Sequence, residues 1–395
     1  MITTPNSIDI PQRLIDDVIA TRRDLHMHPE LGFEETRTAG IVAGRLRTLG
    51  FDVHEKIALT GVVGVLKGVR PGKTIMLRAD MDALPMDEES DRPYRSRTKG
   101  AMHACGHDGH VAMLLGAAEL IVQRRSELAG TIVLCFQPAE EGKGGGQKMV
   151  EEKILERFGV ARAYGLHLSS QHRVGLVGVH EGPFYASSDS IEITIHGRGG
   201  HGAAPHQAID PILVASQFVV NLQQIVSRQI DPLEPAVITI GAFHGGTTHN
   251  VIPRLVSLLG TVRAFNAEVR AAMPERIERV LKSVCDGAGA TYEYEYLWRY
   301  PVTTNDPVQT QFVRDVAIAY AGENNVADVP AIMGAEDFSF FAQEVPASYF
   351  IIGARGDERT GVSHHNSKFD IDESALQTGV RMMTALALEA PAGAP

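Results

Sequence analysis

The sequence has few cysteines, no concentrated basic segment and no long apolar run. Its three cysteines, Cys105, Cys135 and Cys285, are an odd number and widely spaced, so we expect no disulfide framework. No segment reaches the roughly 18 consecutive apolar residues typical of a membrane-spanning helix. The opening MITTPNSIDIPQRL lacks the basic and apolar parts of a secretory signal. We therefore expect a cytoplasmic protein without a membrane partner.

The charge balance excludes a further class of partner. The formal net charge is −11, and charged residues make up 22 % of the chain. Nucleic-acid binding draws on a concentrated basic face, and the sequence contains none, so we expect no nucleic-acid partner and favour small-molecule ligands. A chain of 395 residues is longer than single cores grow, which predicts two domains.

The first part of the chain alternates helical and strand patterns, which predicts an α/β domain with a mixed sheet. Unusual polar residues follow the strands: Asp80 and Asp82 come after TIMLRA, Glu140 and Glu141 after TIVLCFQPA, and His167 lies in YGLHL, where we expect an apolar strand to end. Ligands of open α/β sheets bind beyond the carboxyl ends of the strands. These segments are therefore expected to meet in one crevice.

The order of elements changes between residues 187 and 298. The patterns there read strand, helix, strand, strand, helix and strand, the β-α-β-β-α-β order of the ferredoxin-like unit. We predict that residues 187–298 form an α+β domain inserted into an α/β domain made of residues 1–186 and 299–395.

The stretch MHACGHDGHVAMLLGAA is unusually rich in metal-binding side chains. Its helical pattern starts at about Gly109, which places Cys105 and His107 in the preceding loop or the first turn. There the helix dipole and any nearby cation favour a thiolate. His103 and His110 are further candidate ligands, and a solvated histidine-rich loop is the alternative.

A second signal is the carboxylate pair Glu140 and Glu141 in QPAEEGKGGG. Adjacent side chains project in different directions, so one can bind a metal while the other acts as general base. A solvated surface pair is the alternative, and the glycine run lacks the Lys and Ser or Thr of a phosphate loop. His167, His364 and His365 are candidates as well, although a lone histidine at such a place is more often a core residue.

Together these motifs resemble a known family. The sequence is similar to hippurate hydrolases, indole-acetyl-amino-acid hydrolases and related aminoacylase and carboxypeptidase-type amidohydrolases, which are zinc-exopeptidase-like metallopeptidases. The similar segments, in chain order, are RRDLHMHPELGFEE, LRADMDALPM, MHACGHDGH, QPAEEG, YGLHL, GRGGHGAAPH, HNVIPR, GAEDFSFF and SHHNSKFD. They cover nearly the whole chain.

The resemblance implies two divalent metal ions, Zn or Mn first, with Co or Ni also compatible. It implies Glu140 as general base and Asp80 as a carboxylate supporting a ligand from behind. Two positions depart from the wider group: Arg78 stands where a histidine is common, and Ser367 where a proline is common. The implied metal ligands are Cys105, His107, Glu141, His167 and His365.

The inserted domain would serve as a lid and as the contact of a homodimer. His201, reaching over from the partner subunit, would stabilise the oxyanion, while Asn250 and Arg263 would hold the substrate carboxylate. The planar fork of arginine suits a carboxylate. Without the resemblance, a turn residue is the simpler interpretation of His201 and a surface ion pair that of Arg263.

The implied reaction is hydrolysis of an N-acyl amino acid, with an N-acetyl, N-benzoyl or indole-acetyl group, to a carboxylic acid and a free amino acid. The nearest alternatives are an N-acetyl-diaminopimelate deacetylase and a dipeptidase or carboxypeptidase. From other classes, a non-catalytic metal-binding module and an acyl transferase remain. A binding module would not need Glu140 beside Glu141.

Overall fold

The computed structural model describes residues 8–393, with side chains for residues 8–390. The chain forms two compact units. The larger one takes in the chain up to Gly182, residues Thr304–Pro330 and the chain from Asp337 onward, and the smaller one takes in Pro183–Thr303 and Ala331–Glu336. Among the described residues, no helix combines the length and apolar character needed to cross a membrane.

Helices occur in both units, with α7 and α8 in the smaller one. Their bounds are α1 (Gln12–Met27), α2 (Thr36–Thr48), α3 (His107–Gln123), α4 (Glu140–Lys143), α5 (Gly145–Glu151), α6 (Ile154–Phe158), α7 (Pro211–Gln224), α8 (Ala267–Ala288), α9 (Pro307–Ala321), α10 (Ser339–Glu344) and α11 (Ala375–Gly393).

The strands run in chain order through both units. Their bounds are β1 (Asp52–Ile57), β2 (Gly61–Lys67), β3 (Arg70–Asp80), β4 (Ala129–Gln137), β5 (Val160–Arg173), β6 (Val177–Val179), β7 (Gly182–Tyr185), β8 (Ser188–His196), β9 (Gly200–His201), β10 (Ala236–Gly245), β11 (Val251–Ile252), β12 (Leu255–Ala264), β13 (Thr291–Tyr300), β14 (Thr303–Asn305), β15 (Val326–Asp328) and β16 (Ala347–Arg355).

The larger unit is built on an eight-stranded mixed sheet in the order β1-β2-β4-β3-β5-β16-β6-β15. Strands β4, β3, β5 and β16 are mutually parallel, whereas β2 pairs antiparallel with both β1 and β4. Strand β6 pairs antiparallel with β16 and parallel with β15. The α/β fold with a mixed sheet, predicted from the alternating patterns, is confirmed. The carboxyl ends of the parallel strands lie at one edge of the sheet, and the candidate metal centre lies at that edge.

Helix α3 is buried on nearly every face because it packs against α1 and α11 as well as the sheet. Its sequence is correspondingly apolar all round rather than striped. A Cβ on Gly116 would come within 2.6 Å of Val18 and 3.0 Å of Val380, so only glycine lets α1 and α11 approach this closely. The helix that carries the histidine-rich segment is thus anchored in the core.

In the smaller unit the elements run β8, α7, β10, β12, α8 and β13, and the sheet order is β10-β12-β8-β13, all antiparallel. One face packs against α7 and α8 through residues such as Ile193, Phe218 and Leu281. The sequence predicts the insertion at 187–298, whereas this compact unit begins at Pro183, runs to Thr303 and adds Ala331–Glu336.

One helix of the smaller unit starts well before the position its pattern predicts. The sequence suggests a start at Pro274, but α8 begins at Ala267 and Pro274 lies inside it. The Asn266 side chain caps the helix by accepting hydrogen bonds from the amides of Glu268 and Val269. A good cap therefore outweighs the proline, which is normally a helix-start signal.

Candidate metal centre

The polar strand ends of the larger unit converge through the sheet register. Asp80 of β3 pairs with Gln137 of β4, and Arg78 pairs with Gly165 of β5. The chain turns just after Gln137 to present Glu140 and Glu141. His167 lies inside β5, opposite Ile351, because the strand continues to Arg173. The expectation that the strand ends at His167 was wrong, yet the residue reaches the same edge.

The start of α3 positions the next two side chains. Gly106 precedes the helix with φ of 91°, a left-handed conformation that glycine adopts without strain. The helix therefore begins at His107, two residues before the predicted Gly109. Cys105 lies just outside the first turn and is buried, in the region where the helix dipole favours an anion.

The five residues implied as ligands lie together in the larger unit. Cys105 Sγ is 3.4 Å from His167 Nε2, and His365 Nε2 is 3.2 Å from Glu141 Oε1. Two groups whose ligand atoms lie within 4.8 Å of one another share the cysteine. They are Cys105, His107 and Glu141, and Cys105, His167 and His364.

Hydrogen bonds fix which ring nitrogens face the cluster. His107 Nδ1 donates to the carbonyl oxygen of Asp82 at 2.8 Å, and His167 Nδ1 donates to that of Leu168 at 2.6 Å. Both rings therefore turn Nε2 inward. His107 Nε2 is buried without a hydrogen bond within the described residues, and Glu141 Oε1, also buried, has the ion-pair contact with His365 but no well-aligned hydrogen bond. Buried polar atoms left in this way point to a ligand, and the sulfur, imidazole and carboxylate donors fit a borderline divalent metal ion.

The pKa shifts of the cluster also fit a bound divalent metal ion. Burial raises the pKa of the Cys105 thiol, and the charge of Glu141 raises it further. Cys105 and Glu141 in turn raise the pKa of His365 to about 10. Burial lowers the pKa of His167 well below its usual value, helped by His110. A divalent ion displaces such protons, because thiolate and neutral imidazole are the forms that bind metals.

Asp80 stays charged behind the cluster. Its carboxylate accepts from His110 Nδ1 at 2.6 Å and from Arg78 Nη1 at 2.5 Å, and lies 3.7 Å from His107 Nε2. Burial alone would raise the pKa of Asp80, but Arg78 and His107 hold it well below its usual range. Arg78, which also binds Asp337 at 2.9 Å, thus serves as a counter-ion to both carboxylates.

The loop that carries His365 and Ser367 is held by main-chain hydrogen bonds. His365 has φ of 61°, its amide donates to Ala104 O at 2.9 Å, and its side chain is half exposed. Ser367 O accepts from the amide of Glu89 at 2.8 Å. The serine at this position is thus held by backbone pairing.

Sequence reasoning assigned no final role to three neighbours of the cluster. His364 groups with Cys105 and His167, and its Nε2 accepts from the amide of Ser170 at 3.3 Å. His110 accepts from the amide of Leu168 at 2.9 Å while donating to Asp80. Asp82 holds the Glu140 turn. Each of the three lies within three residues of a residue that the sequence analysis named, which was the only signal available. Their contacts depend on the fold.

The three residues expected to act on substrate lie in the smaller unit. His201 of β9 pairs with Val251 of β11, and Gly202 N donates to Asn250 O at 2.8 Å, so His201 and Asn250 are neighbours. Both are exposed. Arg263 lies on β12 with its Nη1 buried and making no hydrogen bond to the described residues. Burial lowers its pKa, with Asp189 opposing.

A buried cluster of thiol, imidazole and carboxylate at the carboxyl edge of a mixed sheet, with a second carboxylate beside it, is the type of site found in metal-dependent hydrolases. The sequence over residues 76–389 matches the family described as Peptidase family M20/M25/M40. The chain belongs to this family, and it is an enzyme of the metal-dependent amidohydrolase and peptidase class.

Individual relatives match over almost their full length. The chain is 41 % identical to thermostable carboxypeptidase 2 of Saccharolobus solfataricus, covering 97 % of this chain and 99 % of that protein. It is 40 % identical to the IAA-amino acid hydrolase ILR1-like 4 of Arabidopsis thaliana, covering 94 % and 85 %. The crystal structure of the Bacillus subtilis YXEP protein, described as a dinuclear metal binding peptidase from the M20 family, superposes with a TM-score of 0.83 at 35 % identity, covering 96 % and 99 %.

Proposed function

We propose that the protein hydrolyses the amide bond of N-acyl amino acids, releasing a carboxylic acid and a free amino acid. The observation that carries the proposal is the pair of ligand groups sharing Cys105, with Glu140 next in the chain to Glu141. The similarity to an IAA-amino acid hydrolase supports an acyl group on an amino acid as the substrate class.

Two divalent ions, Zn or Mn first, with Co or Ni also compatible, are proposed to bind Cys105, His107, Glu141, His167 and His365. Cys105 belongs to both groups of candidate ligands, which supports its place in the set that would hold the ions. The dinuclear site named for the solved relative supports the count of two. When bound, such ions acidify a water molecule and polarise the substrate carbonyl.

Glu140 acts as the general base and then as the general acid. It is buried, and it takes the proton of the attacking water and returns it to the leaving amine. Asp80 keeps His107 in place through its negative charge. His201 donates a hydrogen bond to the tetrahedral oxyanion, and Asn250 and Arg263 hold the free carboxylate of the substrate.

The proposal includes a homodimer formed through the smaller unit and a cytoplasmic location. In the dimer, the partner subunit would contribute the oxyanion donor. The three free cysteines support a reducing compartment. Light scattering on the active protein tests the dimer, since a fully active monomer would remove the role given to a second subunit.

Glu140→Gln tests the chemistry. The variant keeps the size of the side chain but cannot take a proton, so kcat is expected to fall by about 10²–10⁴-fold while both metal ions remain by elemental analysis. Cys105→Ser is the matched comparison, because it should lower metal content instead. A Glu140→Gln enzyme with two ions and near-parental turnover would refute the mechanism.

A carboxypeptidase or dipeptidase is the second candidate, favoured by the similarity to thermostable carboxypeptidase 2. A panel of N-acetyl, N-benzoyl and indole-acetyl amino acids, with dipeptides and N-acetyl-diaminopimelate beside them, separates these activities. We expect higher kcat/KM on the N-acyl amino acids. Preferred cleavage of dipeptides would instead support the peptidase, and acyl exchange with added amines a transferase.

A further inference from the structure

The turn that carries Glu140 and Glu141 has an unusual backbone. Ala139 has φ of 55°, a left-handed conformation that is rare for a residue with a Cβ, and Glu141 and Gly142 depart from helical angles inside α4. Such conformations persist only where the surroundings over-determine them. The turn therefore needs partners outside itself.

Two buried carboxylates from distant parts of the chain provide those partners. Glu35 Oε1 accepts from the amide of Ala139 at 2.8 Å. Asp82 Oδ1 accepts from the amide of Glu140 and Asp82 Oδ2 from that of Glu141, both at 2.9 Å. Three consecutive amides are thus held by carboxylate oxygens, which form stronger hydrogen bonds than neutral acceptors do.

Each carboxylate has a second attachment. Glu35 is fully buried at the start of α2, and its Oε2 accepts from Thr60 Oγ1 at 2.5 Å. The main-chain oxygen of Asp82 accepts from His107 Nδ1 at 2.8 Å. One residue, Asp82, therefore fixes the orientation of His107 and the backbone of both glutamates, while Glu35 links the turn to the segment that ends in GFEE.

We infer that Glu35 and Asp82 are positioning residues that hold the turn in one conformation. In this conformation Glu140 can reach the attacking water and the leaving amine, and Glu141 points into the metal cluster. The inference rests on the proposed function of Glu140. It gives a role to the segment RRDLHMHPELGFEE, which the proposed chemistry leaves unused.

The protonation of Glu35 suits this arrangement. Burial raises the pKa of Glu35 to about 7, the charge of Asp82 raises it further, and the hydrogen bond from Thr60 opposes the change. A protonated Glu35 still accepts from Ala139 with one oxygen and can donate to Thr60 with the other. Glutamine can reproduce both bonds, because the Thr60 hydroxyl can turn to accept.

Asp82 cannot be replaced in the same way. Both of its oxygens accept amide protons, so asparagine would turn an N–H group toward a donor. The same change from carboxylate to amide is thus expected to act differently at the two sites. Asp82→Asn should lower kcat by about 10–100-fold, the usual effect of removing a partner from behind a metal ligand, with little change in KM. Glu35→Gln should lose much less.

The experiment compares Asp82→Asn, Glu35→Gln and Glu35→Ala with an exposed control, Glu156→Gln, all saturated with Zn or Mn. Metal content, kcat and KM on an N-acyl amino acid and thermal unfolding are measured for each. A purely structural role would lower stability without lowering kcat per bound metal. We expect kcat to be highest in Glu35→Gln, lower in Glu35→Ala and lowest in Asp82→Asn.

Equal losses in Asp82→Asn and Glu35→Gln, or a metal-loaded Asp82→Asn with parental kcat, would overturn the inference. If Asp82→Asn cannot be loaded or folded, the two Glu35 variants decide, since only glutamine keeps the acceptor for Ala139. Equal kcat in that pair would refute the role of Glu35. Failure of the proposed function appears separately, as full activity in Glu140→Gln.

Discussion

The candidate metal cluster of the larger unit and the residues of the smaller unit that we propose to contact substrate are held in different ways. Around the cluster, His107, Asp80 and Asp82 are buried, and each makes hydrogen bonds to other named groups. In the smaller unit, His201 and Asn250 are exposed; His201 is held by the β9–β11 pairing, and Asn250 by the hydrogen bond that its carbonyl oxygen accepts from Gly202.

The difference shows which side chains are fixed in position before a ligand binds. Metal ligands need fixed geometry, and a buried shell of hydrogen bonds supplies it at the cost of burying charge. Residues that meet a substrate must stay accessible to it and gain order on binding. Changes in the first region should therefore act on stability and metal content as well as on kcat, whereas changes in the second should act on KM or kcat without lowering stability.

The largest expected effect is at Arg22, beneath the metal-bearing loop. Its fully buried guanidinium donates to Asp108 at 2.8 Å and to Asp370 at 2.9 Å. Arg22→Met removes the buried cation that these carboxylates share and leaves Asp370 with Arg92 and Asp108 with His26 as partners, which should cost up to about 3–5 kcal/mol of unfolding free energy. Denaturant unfolding measures it, with Arg22→Lys as the charge-conserving control. A loss below about 1 kcal/mol would mean that the larger unit is not held by its buried charges.

The next effect concerns pH and Glu35. Its pKa rises from 4.5 to about 7 in the folded protein because of burial. Between those values the native state binds a proton that the unfolded state has released, so stability falls as pH rises through this window. The contribution is about 2–3 kcal/mol. Because glutamine mimics the protonated acid, the parent and Glu35→Gln should unfold with similar free energies near pH 4.5, and the parent should become the less stable of the two by that amount toward pH 7; parallel curves would contradict this.

Arg263 is the corresponding test in the smaller unit. Its buried Nη1 has no hydrogen bond within the described residues, so Arg263→Ala should leave stability unchanged. Substrate binding should weaken by about 1.5–3 kcal/mol, roughly 10- to 100-fold in KM. Substrates whose carboxylate is amidated should be insensitive, and Arg263→Lys should be intermediate. A lower melting temperature with unchanged KM would instead favour the surface ion pair.

Much of the fold could be predicted from the sequence because its signals are local. Apolar runs alternating with helical patterns predicted the strands of a mixed α/β sheet, and the polar residues after those runs predicted that Asp80, Glu140 and His167 meet at one edge. The helix start at His107 was missed by two residues, since it depends on the left-handed Gly106. The early start of α8 depended on the Asn266 cap.

The shell behind the cluster could not be predicted in this way. Glu35 and Ala139 are 104 residues apart, and no period or spacing relates a carboxylate to an amide across that distance. His103 shows the limit most clearly: its ring is fully buried, and neither of its nitrogens makes a hydrogen bond within the described residues. Burial lowers the pKa of His103 to about 4. The histidine-rich sequence around His103 predicted neither its burial nor its lowered pKa.

The smallest effect should come from an exposed ion pair on α8 of the smaller unit. Arg279 Nη2 lies 2.6 Å from Glu275 Oε1 with both side chains largely exposed. Such a pair, four residues apart on a helix, contributes about 0.3–0.5 kcal/mol. Arg279→Ala should lower the unfolding free energy by no more than this and leave KM and kcat unchanged, with Glu275→Ala and the double variant completing a cycle. A loss comparable to that of Arg22→Met would show that the smaller unit also depends on its charges, and the contrast between the two regions would fail.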